Sequence, residues 1–113
     1  MKIIRKKRKV KSVQAYGGQT IQVDDDDYAF VNNLVSRFGI SVDKWGYPKI
    51  NYKKNGKTIS IKLHRLIMRL HGYKIKGLHV DHRDRNKLNN SKSNLRVVGF
   101  RMNNRNRSSV VNY

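Results

Sequence analysis

LHVDHRDRNKLNNSKSNLRVVGFRMNNRN, residues 78–106, decides how the whole chain is read. Leu78 and Val80 begin a short strand that delivers Asp81 and His82 at its end. Residues 83–93 are polar and rich in turn formers, so they form a compact loop. Leu95 to Val98 returns as a second strand, and 99–108 is the best helix candidate. The seven acidic residues are all Asp, and two of them, Asp81 and Asp84, flank His82 in a chain with 26 lysines and arginines. Carboxylates beside a histidine in so basic a protein need a chemical reason.

Phosphodiester hydrolysis supplies one. It requires a nucleophile, a stabiliser for crowded negative charge and help for the leaving oxygen. His82 suits the general base, because an imidazole with an ordinary pKa near 6.5 accepts a proton from water at neutral pH. Asp81 and Asn103 can hold a hard divalent cation through oxygen, Mg²⁺ by preference with Mn²⁺ as a substitute. Neighbouring strand residues point to opposite faces, so the chain must bend or twist if Asp81 and His82 serve one centre. Asn94 suits a brace whose amide bonds across the loop and fixes the histidine's orientation. Asn103 and Asn106 share one helix face, and Arg101 and Arg105 another. Asn86, Asn89 and Asn90 read as ordinary turn formers, whereas Asn103, in mid-helix, costs propensity and asks for a role.

The formal charge of +19 over 113 residues names the partner class: a polyanion, hence nucleic acid. Double-stranded DNA fits best, because no paired aromatic platform for RNA stands on a strand. The absence of cysteine excludes disulfides and thiolate zinc sites. No apolar run reaches a membrane span and no secretory signal is present, so an intracellular, cytoplasmic protein is expected. No organic cofactor is indicated, and a monomer and a homodimer both remain open.

Upstream of the site, Lys6, Lys7, Arg8 and Lys9 lie in a basic arm over 1–12, read as a DNA contact; a solubilising tail or an import signal are its alternatives. Residues 13–62 form a small sheet-and-helix part. Thr20 to Val23 alternates as a strand with Ile21 and Val23 inward. Asp24 to Asp27 begin a helix with Val31, Leu34, Val35 and Phe38 on one face, Asp24 or Asp25 capping it and Gly39 ending it. Tyr47, Ile50 and Tyr52 mark one strand and Thr58 to Leu63 another, joined by a tight turn at Asn55-Gly56. Pro48 belongs at a strand edge or start. Lys49, Lys53 and Lys62 make a cationic sheet face, suited to DNA or simply to blunting an edge. Leu63, Leu66, Ile67 and Leu70 then give a helix over 62–71, with His71 structural and His64 in a possible supporting role.

From about Leu63 to Arg107 the chain resembles the HNH nucleases of the homing type. Leu63-His64-Arg65-Leu66-Ile67 enters, an Asp-His-x-Asp-x-Asn-x-Leu-Asn-Asn pattern crosses the loop, and Asn94-Leu95-Arg96 leads to Asn103. The resemblance implies a ββα-metal unit over 63–113, with His82 as base, Asp81 and Asn103 on the metal, Asn94 as brace and Asp84 supporting. Residues 23–28 and the following strands are similar to compact phage-like HNH proteins, in which a sheet like that of plant ethylene-response factors precedes the site. Arg85 departs from the pattern, standing where the family has Gly. The expectation is therefore an α+β chain, a small N-terminal antiparallel sheet with a helix followed by the ββα-metal unit. It would be a DNA endonuclease leaving 5′-phosphate and 3′-hydroxyl ends, acting in a bacterial or phage-infected cell. The alternative is a DNA-binding or regulatory relative that has lost catalysis.

Overall fold

The computed structural model describes residues 9–99. The basic arm residues Lys6, Lys7 and Arg8 lie outside that range, as do Arg101, Asn103, Arg105, Asn106 and nearly all of the expected third helix. The described residues form a mixed α/β structure of three small sheets and two helices.

Strand β1 (Val10–Gln14) pairs antiparallel with β2 (Thr20–Asp24), and Ile21 and Val23 point inward with no exposed surface, as their alternation requires. Helix α1 (Asp25–Phe38) follows without a loop. The acidic first turn complements the helix dipole. Asp24 stands at the N-cap position but makes no capping bond; its Oδ2 instead accepts the Lys92 N–H at 2.9 Å. The expected cap is thus a tie between the start of α1 and the loop bearing the candidate site. Asp27 is buried and bonds His71 Nε2 at 2.9 Å, so this histidine fastens one helix to the end of the next. Val31 is fully buried, while Phe38, expected on the same face, is 39% exposed at the helix end.

Gly39 ends α1 with φ 75°, its N–H bonding the Val35 carbonyl at 2.7 Å. A Cβ there would lie 1.9 Å from Tyr16 Oη, so the position needs glycine for space as well as for conformation.

The second sheet contains β3 (Ser41–Val42), β4 (Pro48–Lys54) and β5 (Lys57–Lys62), all antiparallel. Asn55 (φ 52°) and Gly56 (φ 78°) make the two-residue hairpin turn, and Pro48 opens β4, where no ladder bond is lost. Tyr47, expected in the strand, sits in the turn before it. Lys49 and Lys62 are directly opposite across β4 and β5, a like-charge pair that an anion would relieve.

Chain direction changes at Leu63, which starts helix α2 (Leu63–Leu70) rather than ending β5. Its buried stripe is Leu63, His64, Ile67 and Met68. Leu70, expected inside, is 42% exposed, because the strand running straight into the helix sets its phase and Met68 takes the inner position. One core cluster joins Ile21, Val23, Val31, Ile50, Leu63 and Ile67 to Val80 and Leu95 of the last hairpin. That hairpin is β6 (His79–His82) with β8 (Leu95–Val98), antiparallel. Between them the loop holds β7 (Asn89–Asn90), which pairs parallel with β2, and a 3₁₀ turn over Lys92–Asn94. Residues 83–93, expected as loop alone, thus include β7, whose two residues are too few to show a periodicity in sequence. The β2–β7 ladder crosses the boundary expected at residue 62, tying the site to the N-terminal sheet.

Candidate active site

Strand β6 brings Asp81 and His82 to one end of the β6–β8 hairpin. It runs regularly through both, with Asp81 opposite Arg96 and His82 opposite Leu95. Arg96 reaches across the pair to Asp81, its Nη2 at 3.0 Å and its Nε at 3.2 Å from Oδ2. His82 is 4% exposed.

The imidazole of His82 has a defined tautomer. Its Nε2 is 2.9 Å from Asn90 Oδ1, and Asn90 Nδ2 donates to the Lys87 carbonyl at 3.2 Å. With the amide orientation set by that carbonyl, Oδ1 can only accept, so the proton of His82 lies on Nε2 and Nδ1 keeps its lone pair. Burial pushes the His82 pKa below its ordinary value; the Asn90 bond and the nearby Asp81 and Asp84 oppose this in part. The ring is therefore neutral at neutral pH and able to take a proton at Nδ1.

Asn90 was read from sequence as a turn former, and Asn94 as the residue that orients the histidine. The structure assigns the contacts differently. Asn90 is fully buried and holds His82 directly. Asn94 braces the loop: Nδ2 donates to Asp84 Oδ1 and to the Asn89 carbonyl, both at 2.8 Å, and Oδ1 accepts the Asp84 N–H at 3.1 Å. Its backbone carbonyl takes the Arg83 N–H at 2.7 Å. No signal in the Asn89-Asn90 pair distinguishes these neighbours, since only β7 turns one of them inward.

Asp84 is the hub of this loop. It also accepts from the Asn86 N–H at 2.8 Å and Asn89 Nδ2 at 2.9 Å. Slight burial works against ionisation, but the donors from Asn89, Asn86 and Asn94 hold the carboxyl below its usual range. Arg85 closes the turn with its N–H on the His82 carbonyl at 3.0 Å and φ 63°, the left-handed conformation that glycine adopts freely. The departure noted from sequence is thus a strained residue in an otherwise well-bonded turn.

His64 packs beside His82, ring centroids 4.9 Å apart, and Tyr47 stacks on His64 at 5.2 Å and lies 6.1 Å from His82. Burial first, then the neighbouring His82, Lys62 and Arg65, lower the His64 pKa to about 3, against a bond to the Val80 carbonyl. Its Nδ1 is buried with no partner among the described residues. His64 is therefore a neutral wall at neutral pH. Tyr47 was missed as a site residue, as was Lys87, whose Nζ lies 4.6 Å from the Tyr47 ring centroid.

Of the cations expected on DNA, Lys9 and Lys53 are exposed, Lys49 is half-buried, and Lys62 Nζ lies 4.7 Å from the Tyr47 centroid. A cleft of about 1170 Å³ between β5, α2 and residues 73–80 is walled by Lys62, Arg65, Arg69, Lys74 and Lys76 and by no carboxylate. Neither Asp81 nor His82 lines it, so this cationic cleft is separate from the end of the hairpin that carries them. Among the described residues no three His, Cys, Asp or Glu side chains gather to hold a metal, and no helix is long and apolar enough to cross a membrane.

Residues 62–105 match a family model described as HNH endonuclease. The chain is 40% identical over 73 residues to the H-N-H endonuclease F-TflI of Escherichia phage T5, across 61% of this chain and 36% of that protein. It is 42% identical over 71 residues to the DNA endonuclease I-HmuI of Bacillus phage SP01, across 60% of this chain and 40% of the relative. A solved structure titled "DNA binding and cleavage by the HNH homing endonuclease I-HmuI" superposes with a TM-score of 0.51 and 39% identity over 61% of this chain and 40% of that one. The chain thus spans well under half the length of these relatives. Residues 62–105, which carry His64, Asp81, His82, Asn90 and Asn94, are therefore the part of this chain that is similar to the HNH endonucleases.

Proposed function

We propose that this chain is a metal-dependent DNA endonuclease in which His82 is the general base. The supporting observation is the neutral, buried imidazole whose Nε2–H is fixed on Asn90, leaving Nδ1 to accept a proton from water. Asn94, through Asp84 and the loop backbone, keeps this geometry in place. His64 and Tyr47 exclude solvent from one side of the ring.

A hard cation such as Mg²⁺ keeps several waters and takes only one or two protein carboxylates. Asp81, partly open on the strand face opposite His82, would be one such ligand if the end of β6 twists to bring it round, and Asn103 is the second in this reading. When bound, the ion supplies charge stabilisation for the crowded phosphate and for the leaving 3′ oxygen. Arg96, now paired with Asp81, would then be available to a phosphate. Arg101, Arg105, Asn106, the arm and the lysine-bearing sheet would hold flanking DNA. One such site cuts one strand, and its place of action is the DNA-containing interior of a bacterial or phage-infected cell.

Supercoiled plasmid incubated with the protein tests this directly. Relaxation in Mg²⁺ or Mn²⁺, absent in chelator and leaving 5′-phosphate ends, is expected. Tight DNA binding with no metal-dependent cutting would instead mark a relative that kept the fold and lost turnover.

A further inference from the structure

Trp45 is 61% exposed and is the chain's single tryptophan. It stands on a turn in which the N–H groups of Asp43, Trp45, Gly46 and Tyr47 are all hydrogen-bonded. Asp43 Oδ1 accepts the N–H groups of Trp45 and Tyr47, each at 2.9 Å; the Asp43 N–H bonds the Tyr47 carbonyl and the Gly46 N–H the Asp43 carbonyl, also at 2.9 Å. Asp43 and Gly46 (φ 94°) suffice to build that turn, and nothing in it asks for an indole.

The turn is also fastened to the candidate site. Lys87, from the loop that orients His82, donates to the Trp45 carbonyl at 2.7 Å, and Tyr47 carries the contact on to His64 and His82. Ammonium groups surround the exposed ring system: Lys44 Nζ is 4.6 Å from the Trp45 centroid, and Lys62 and Lys87 flank Tyr47. The carboxylate of this turn, Asp43, is engaged by its own peptides. A rigid apolar plate set among cations matches a polyanion that offers flat π faces, and water gives such a plate no stabilisation.

We propose that Trp45 is a wedge for the DNA substrate: its indole stacks on a nucleobase next to the scissile phosphate, with Lys44 and Lys87 on the adjoining phosphates. This rests on DNA being the ligand, as argued above. In an intact duplex the bases are already stacked, so insertion opens a base step and bends the helix, and binding is tighter where a step is already broken.

The test uses the emission of Trp45 in the full chain, with chelator present so that the duplex stays intact, and a mobility shift as an independent measure of binding. Titration with a mixed-sequence duplex is expected to quench the indole in step with the shift, and the same duplex with a one-nucleotide gap to saturate at lower concentration. Trp45→Ala should weaken gapped-duplex binding roughly tenfold, with Trp45→Phe recovering most of it. A shift without quenching, together with unchanged binding by Trp45→Ala, overturns the wedge and leaves the nuclease reading standing. No shift on any DNA overturns both. Quenching by a structured RNA at lower concentration than by either duplex overturns DNA as the partner.

Discussion

His82 owes its tautomer to Asn90. Removing the amide in Asn90→Ala leaves a buried ring N–H unpaired, which costs about 1–3 kcal/mol. It also frees the ring to change tautomer. The expected outcome is a lower unfolding midpoint together with loss of nicking, with DNA affinity unchanged; nicking at the parental rate in a folded variant would show that the tautomer is not what matters. His64 gives a second residue-level expectation. Its pKa is near 3 in the native protein against 6.5 in the unfolded chain, so between those values the unfolded state binds a proton that the native state refuses. Stability from this group is complete above pH 6.5 and is lost as pH falls towards 3, by at most about 1.4 kcal/mol per pH unit. Urea unfolding at neutral and mildly acid pH should show that slope, and His64→Leu should flatten it. Arg85 offers the converse case: the left-handed backbone costs a side-chain-bearing residue about 1–2 kcal/mol, partly offset by the entropy glycine loses on folding, so Arg85→Gly should stabilise by roughly 0.5–1 kcal/mol. That site was legible because the pattern around it calls for glycine. The Asn90 contact was not, because which of two adjacent asparagines turns inward is decided by pairing with a strand 67 residues upstream.

At the scale of elements, the hairpins and helices could be read wherever local chemistry decides them. Asn55-Gly56 can make only a tight turn, and the β6–β8 pairing follows from two short apolar strands around a polar loop. The inner face of α2 was read with Leu70 in place of Met68, since β5 runs into the helix and sets its rotation. The capping role expected of Asp24 failed for a related reason: a long-range N–H, from Lys92, reaches the carboxylate where the helix's own amides do not. The junction after α1 allows a sharp expectation. Gly39→Ala places a methyl against Tyr16 Oη in a backbone conformation that alanine disfavours, so the melting temperature should drop markedly. Adding Tyr16→Ala should restore only part of it, because the conformational cost stays; full restoration would show that the clash alone matters.

For the molecule as a whole, a charge of +19 and a carboxylate-free cleft beside the hairpin predict binding driven by release of counterions. If about eight phosphates are neutralised, the logarithm of affinity should fall against the logarithm of salt with a slope near −7. A flat response would remove DNA as an electrostatic partner. Composition alone carried this part of the account, whereas the convergence of a base, its orienting amide and a braced loop needed three dimensions. Whether that convergence cuts DNA is read by comparing His82→Ala with the parent in Mg²⁺ on supercoiled plasmid, with duplex binding measured in parallel. Binding is expected to be unchanged and nicking slowed by roughly 10²–10⁴-fold. A folded His82→Ala that binds and nicks like the parent would contradict catalysis by His82.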